Sequence, residues 1–118
     1  MSVAFLQQGR CLIASVQSDL SDREVLRLRD ELAVRVGAER TSAIIVDVSA
    51  LDVIDSFVAR SLRSLALTAR LRGADTIVVG IKPDVAIAMV HFDLNLRPLR
   101  TALDLDEALA LLGHGSVG

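Results

Sequence analysis

The residues with the most chemical potential stand together in "DVIDSFVAR", Asp52 to Arg60, where a hydroxyl directly follows an acid. An aspartate or serine at such a place can cap a helix, its side-chain oxygen accepting one of the N–H groups that have no partner in the first turn. A serine there can instead accept a phosphoryl group, which adds about −1.5 to −2 charges at neutral pH. The helix dipole and free N–H groups tolerate an anion at that end. Asp52 and Asp55 would repel it, so the phosphate would point outward and change the surface offered to a partner more than the fold. The two roles coexist if Asp55 is the cap and Ser56 opens the first turn with its hydroxyl free.

Other chemistries find less support. His91 and His114 lie far apart, and neither has a ligand at helical or loop spacing, so no metal site is expected. The single cysteine, Cys11, sits among apolar neighbours and reads as a small core residue. It excludes an internal disulfide and fits a reduced, cytoplasmic setting. Neither phosphate-binding glycine loop occurs, nor a G-x-S-x-G elbow, so no nucleotide or other cofactor is expected. Asp47 at a strand end and Lys82-Pro83 after a later strand imitate a response-regulator receiver. Only Asp19 follows the first strands, however, where a receiver needs an acid pair to hold its cation. The net charge of −2 argues against a nucleic-acid partner. No leader-like start is visible, and no apolar run approaches a membrane span, so no membrane partner is expected.

The elements that must position these residues follow from periodicity. The 118 residues suit one domain, 1–118, with a loose tail from about 113. Over half are hydrophobic but only three are aromatic, so the core must be aliphatic. Residues 3–6 and 10–16 read as a hairpin across Gln7-Gln8-Gly9. Ser21 and Glu24 form a capping box for a helix over about 21–36, with Val25, Leu28, Leu32 and Val36 on one face and Gly37 as its stop. The continuous apolar runs at 42–49 and 75–80 read as strands buried on both faces. A helix over about 56–72 lies between them. Pro83 opens a third helix, a short strand falls near 99–101, and Asp104 with Glu107 begins the last helix, ending at Gly113. The order β-β-α-β-α-β-α-β-α is that of an α/β layered domain. Loops at the carboxyl ends of parallel strands then carry function, and the Asp52–Ser56 loop is one of them. Arg60, Arg63, Arg70 and Arg72 give the second helix a basic face, which reads at least as well as an ordinary solvated surface as it does as a contact for self-association.

Several stretches together, "IIVDVSALDVIDSFVARSL", "LRGADTIVVGIKPDVAIAMV" and "ALDLDEALALL", resemble the STAS family of anti-sigma factor antagonist domains over nearly the whole chain. The resemblance implies a mixed four- to five-stranded sheet with about four helices packed mainly on one side. It also implies a binding module with no catalytic activity of its own. The family's regulatory serine follows an aspartate at the head of the second helix, which carries over onto Asp55-Ser56 and makes Ser56 the implied phosphorylation site. Asp52, Asp55, Ser56, Phe57 and Arg60 are the implied kinase- or partner-binding residues. The implied partners are a switch-type serine kinase, a phosphatase that reverses the modification, STAS-domain paralogues with sensory N-terminal domains, and further copies of the chain in a large assembly. Free antagonists of the family usually continue D-S-S-G or D-S-[ST]-G. Here "DSFV" stands instead, which favours the stressosome scaffold branch over an antagonist that binds an anti-sigma kinase directly.

Overall fold

A computed structural model of the protein describes residues 3–38 and 40–116. Nine elements follow in order: β1 (Val3–Gln8), β2 (Cys11–Val16), α1 (Asp22–Ala38), β3 (Ala43–Asp47), α2 (Ser56–Leu71), β4 (Asp75–Val79), α3 (Pro83–His91), β5 (Arg100–Ala102) and α4 (Leu105–Ser116). The five strands form one mixed sheet in the order β1-β2-β3-β4-β5. The β1–β2 pair is antiparallel and the other three are parallel. β1 runs two residues further than the sequence pattern implies, and β2 begins one residue later. Gln8 pairs with Cys11, which leaves Gly9-Arg10 as the turn.

The strand order dictates where the helices go. Three crossovers, through α1, α2 and α3, each step to the next strand in the same direction, and right-handed crossovers then lay all three on one face. α4 follows the last strand with no crossover to complete and covers the opposite face. The apolar runs confirm two-sided burial residue by residue. Ile44, Val46 and Val78 enter the core under α1–α3, while Ile45, Ile77 and Val79 enter the smaller core with Ala108 of α4. This alternation at a period of two is why the strands read as unbroken hydrophobic runs.

Helix ends largely follow the expected signals. The Ser21 N–H donates to Glu24 Oε1 at 3.1 Å, and the Glu24 N–H donates to Ser21 Oγ at 3.2 Å. Those bonds hold the Glu24 carboxyl below the ordinary glutamate range. The Glu107 N–H donates to Asp104 Oδ1 at 2.9 Å. α2 closes in a Schellman arrangement, with Ala74 N–H to Ala69 C=O at 2.9 Å and Gly73 N–H to Arg70 C=O at 3.0 Å, Gly73 taking φ +83.

Two expected stops need correction. α1 passes through Gly37 to Ala38, because a missing side chain costs a helix only about 0.5–1 kcal/mol and here makes room for the Arg72 side chain. α4 likewise continues past Gly113 to Ser116, so the backbone of the expected tail is helical that far, and its last two residues lie outside the described residues. The basic face expected on α2 is also smaller than it reads. Arg63 Nη1 donates to the Asn95 carbonyl at 2.6 Å, Arg60 Nε donates to a carbonyl of its own helix, and Arg72 lies against Gly37, so three of the four arginines are engaged within the chain.

Candidate functional site

β3 ends at Asp47, whose carboxylate accepts the Ser49 N–H at 2.9 Å and turns the chain. Val48 keeps one more bond to the sheet, to the Val79 carbonyl at 3.0 Å. Leu51 and Ile54 then drive their side chains into the core, 4% and 5% exposed. Burying these two positions forces Asp52 and Val53 outward between them, and Asp55 outward just after. The loop is therefore anchored by apolar contacts while its polar atoms face solvent.

Two longer-range bonds fix the loop's position. The Asp52 N–H donates to Asp19 Oδ1 at 3.0 Å, and Lys82 Nζ donates to Asp52 Oδ1 at 2.7 Å. That hydrogen bond, with the charges of Asp84 and Asp19 behind it, holds the Lys82 ammonium above its usual range. Lys82 and Asp47 thus both hold the loop in place. Among the described residues no three His, Cys, Asp or Glu side chains converge on a common point. Burial alone raises the Cys11 thiol above its ordinary value, which fits a packing role.

Asp55 is the cap of α2. It stands in extended backbone, φ −88 and ψ −179, and its Oδ1 accepts the Val58 N–H at 2.9 Å. Ser56 is the first helical residue and is exposed, and its hydroxyl makes no hydrogen bond among the described residues. Arg60, one turn on, folds back so that Nε donates to the Ser56 carbonyl at 3.3 Å. The division of labour expected between Asp55 and Ser56 is therefore the one the geometry adopts. An Asp55→Ala chain should lose about 1 kcal/mol of stability, read as a lower urea midpoint, and an unchanged midpoint would mean that the cap contributes nothing.

Beside Ser56 lies a groove of about 410 Å³. One wall is the loop, through Val53, Asp55 and Ser56, with Asp52 at its end. The other wall is α3 and its exit, through Asp84, Ala88 and Phe92. Val53 and Phe92 are 62% and 69% exposed. Of the five residues expected to meet a partner, Asp52, Asp55 and Ser56 share this groove. Phe57 is half-buried outside it, and Arg60 lies on the helix face beyond. The α3 wall carries no local signature in the sequence. Asp84 and Phe92 look there like ordinary helix residues, and only the β4–α3 crossover brings them opposite Ser56.

Comparison with known proteins adds to this geometry. The family model described as the STAS domain matches residues 2–108. The RsbT co-antagonist protein RsbRD of Bacillus subtilis is 24% identical over 101 residues, which cover 86% of this chain and 36% of that protein. The chain therefore spans about a third of that longer relative. Among solved structures, RsbS of Moorella thermoacetica in a serine-to-glutamate form is 30% identical with a TM-score of 0.82, covering 98% of both chains. A chain of a stressosome structure, described as a signal integration and transduction hub, is 28% identical with a TM-score of 0.75, covering 98% of this chain and 100% of that one. No helix among the described residues is long and apolar enough to cross a membrane.

Proposed function

Because the chain belongs to the STAS domain family, we propose that it is a non-catalytic binding subunit of a stressosome-type assembly in the cytoplasm. In this reading it holds a switch-type serine kinase at the Asp52–Ser56 loop and releases it when Ser56 is phosphorylated. Copies of the chain and longer STAS paralogues form the assembly, and a phosphatase resets it. The likeness to RsbS and to the stressosome chain over their whole lengths supports the assembly. The likeness to RsbRD, matched over only part of its length, supports a paralogue with additional domains.

The observation that carries the regulatory part is the placement of Ser56. Its hydroxyl is exposed and has no hydrogen bond among the described residues, because Asp55 already serves the helix end. Modification then costs the fold no cap. The kinase would transfer the γ-phosphoryl of ATP to Ser56 Oγ, with ADP leaving and the hydroxyl proton passing to a base on the kinase.

Incubation with a switch-type serine kinase and ATP, followed by phosphopeptide mapping, tests the site. One phosphoryl group on Ser56 is expected, and label on another residue or none at all would overturn the assignment. Size-exclusion chromatography separates the scaffold from a free antagonist. The scaffold should elute as a large assembly with its paralogues, whereas a monomer or dimer that binds an anti-sigma kinase directly would replace this reading with the antagonist one.

A further inference from the structure

We infer that the groove between the Ser56 loop and α3 is an anchor pocket that takes an apolar side chain of the bound kinase, with a basic residue beside it. The inference rests on the proposed kinase-holding function and adds the α3 wall and the chemistry of the occupant. The argument begins with the surface itself. The groove places exposed Val53 and Phe92 over buried Ile54 and Val85. Its volume, about 410 Å³, accommodates one large side chain with its flanking backbone. Buried apolar anchors of this kind supply most of the energy of protein interfaces.

Charge narrows the occupant. Asp52, Asp55 and Asp84 rim the groove. Lys82 is the nearby cation, and its ammonium is committed to Asp52. Asp55 Oδ1 is occupied by the Val58 N–H, but its second oxygen is open, and Asp84 enters no ion pair among the described residues. An acidic partner segment would be repelled, whereas an apolar residue flanked by Lys or Arg complements both floor and rim. The same charges constrain how release can work. A phosphate added to an already acidic rim would not repel a basic segment. Release must instead come from placing a dianion at the mouth of an apolar pocket, where seating the anchor would strip the phosphate of water.

The test measures binding of a switch-type serine kinase to the full chain by calorimetry. Ala88→Arg fills the groove from an exposed helical position, and Phe92→Ala removes part of its wall. Each should weaken binding by about tenfold or more with unchanged circular dichroism and melting temperature. Ile87→Ala, on an exposed part of α3 outside the groove, should bind as the parent does. Added salt should weaken parental binding, and Asp84→Asn should flatten that dependence. If the groove variants bind normally while Ser56→Asp still loses the kinase, the anchor pocket is wrong and the functional reading stands. If the parent chain binds no switch-type kinase, both fall. If the groove variants change only the chain's self-association, the groove is a contact between copies and the inference is overturned.

Discussion

A Ser56→Asp chain is expected to fold like its parent and to lose its kinase. The hydroxyl it replaces has no hydrogen bond to forfeit among the described residues, and an acid in the first helical turn interacts favourably with the dipole. Stability should therefore stay within about 0.5 kcal/mol of the parent. At the groove the substitution puts a carboxylate between Asp55 and the apolar wall, with about half the charge of a phosphate or a little more. Kinase affinity should fall by about tenfold or more, or at least 1.4 kcal/mol, and further for the fully phosphorylated protein. Ser56→Ala should hold the kinase whether or not ATP is present. Calorimetric titration of the three proteins reads all of this. Equal affinities for Ser56→Asp and the parent would sink the switch. A loss of more than about 1 kcal/mol of stability in Ser56→Ala would return Ser56 to a capping role.

Gly80→Ala should produce the largest stability loss of any single-methyl addition near the site. Gly80 leaves β4 with φ +79 and accommodates the Asp47–Ser49 turn that leads into the Asp52–Ser56 loop. A methyl group there would sit 2.9 Å from Ser49 Cβ and 3.1 Å from Asp47 Oδ1. The left-handed backbone costs an L-residue about 1–2 kcal/mol, and forced overpacking adds about 1–3 kcal/mol, so a total near 3 kcal/mol is expected. Gly73→Ala is the internal control. It has the same kind of backbone, φ +83, but nothing within 4 Å of the added methyl, so it should show the backbone cost alone. Urea midpoints at a common slope give the comparison. The Gly80 variant should also bind the kinase more weakly, since its collision pushes on the Asp47–Ser49 turn. Equal losses at the two glycines would mean that the turn yields freely.

Asp55 as cap and Ser56 as free hydroxyl are legible because capping is local, a matter of residue type and a spacing of three. The two-sided strands are legible because Ile44, Ile45 and Val46 need no knowledge of which core each enters. The STAS resemblance added the regulatory reading, which local pattern alone left open. The second wall of the groove is different in kind. Asp84, Ala88 and Phe92 meet Ser56 only after a crossover of some thirty residues, and nothing in their own spacing announces it. The same holds for Lys82, which reads as a strand-end landmark until its ammonium is found on Asp52. Arg63 and Arg72 read as free surface charges because their acceptor and their niche, Asn95 and Gly37, lie on other elements. Gly37 and Gly113 are the converse case, since a glycine permits a helix to end without ending it.

The order of the strands has a consequence for how the molecule is made. Every strand lies beside its neighbour in sequence, so no pairing in the sheet spans more than one crossover. Each loop closure is therefore no longer than a single crossover requires, which limits its entropic cost. A nascent chain can accordingly add each strand as it leaves the ribosome, beginning from the β1–β2 hairpin. The β3–α2–β4 unit encloses the Ser56 loop, and α3 completes the groove opposite it. Both walls of the groove are thus synthesised before α4, the helix that closes the back of the sheet.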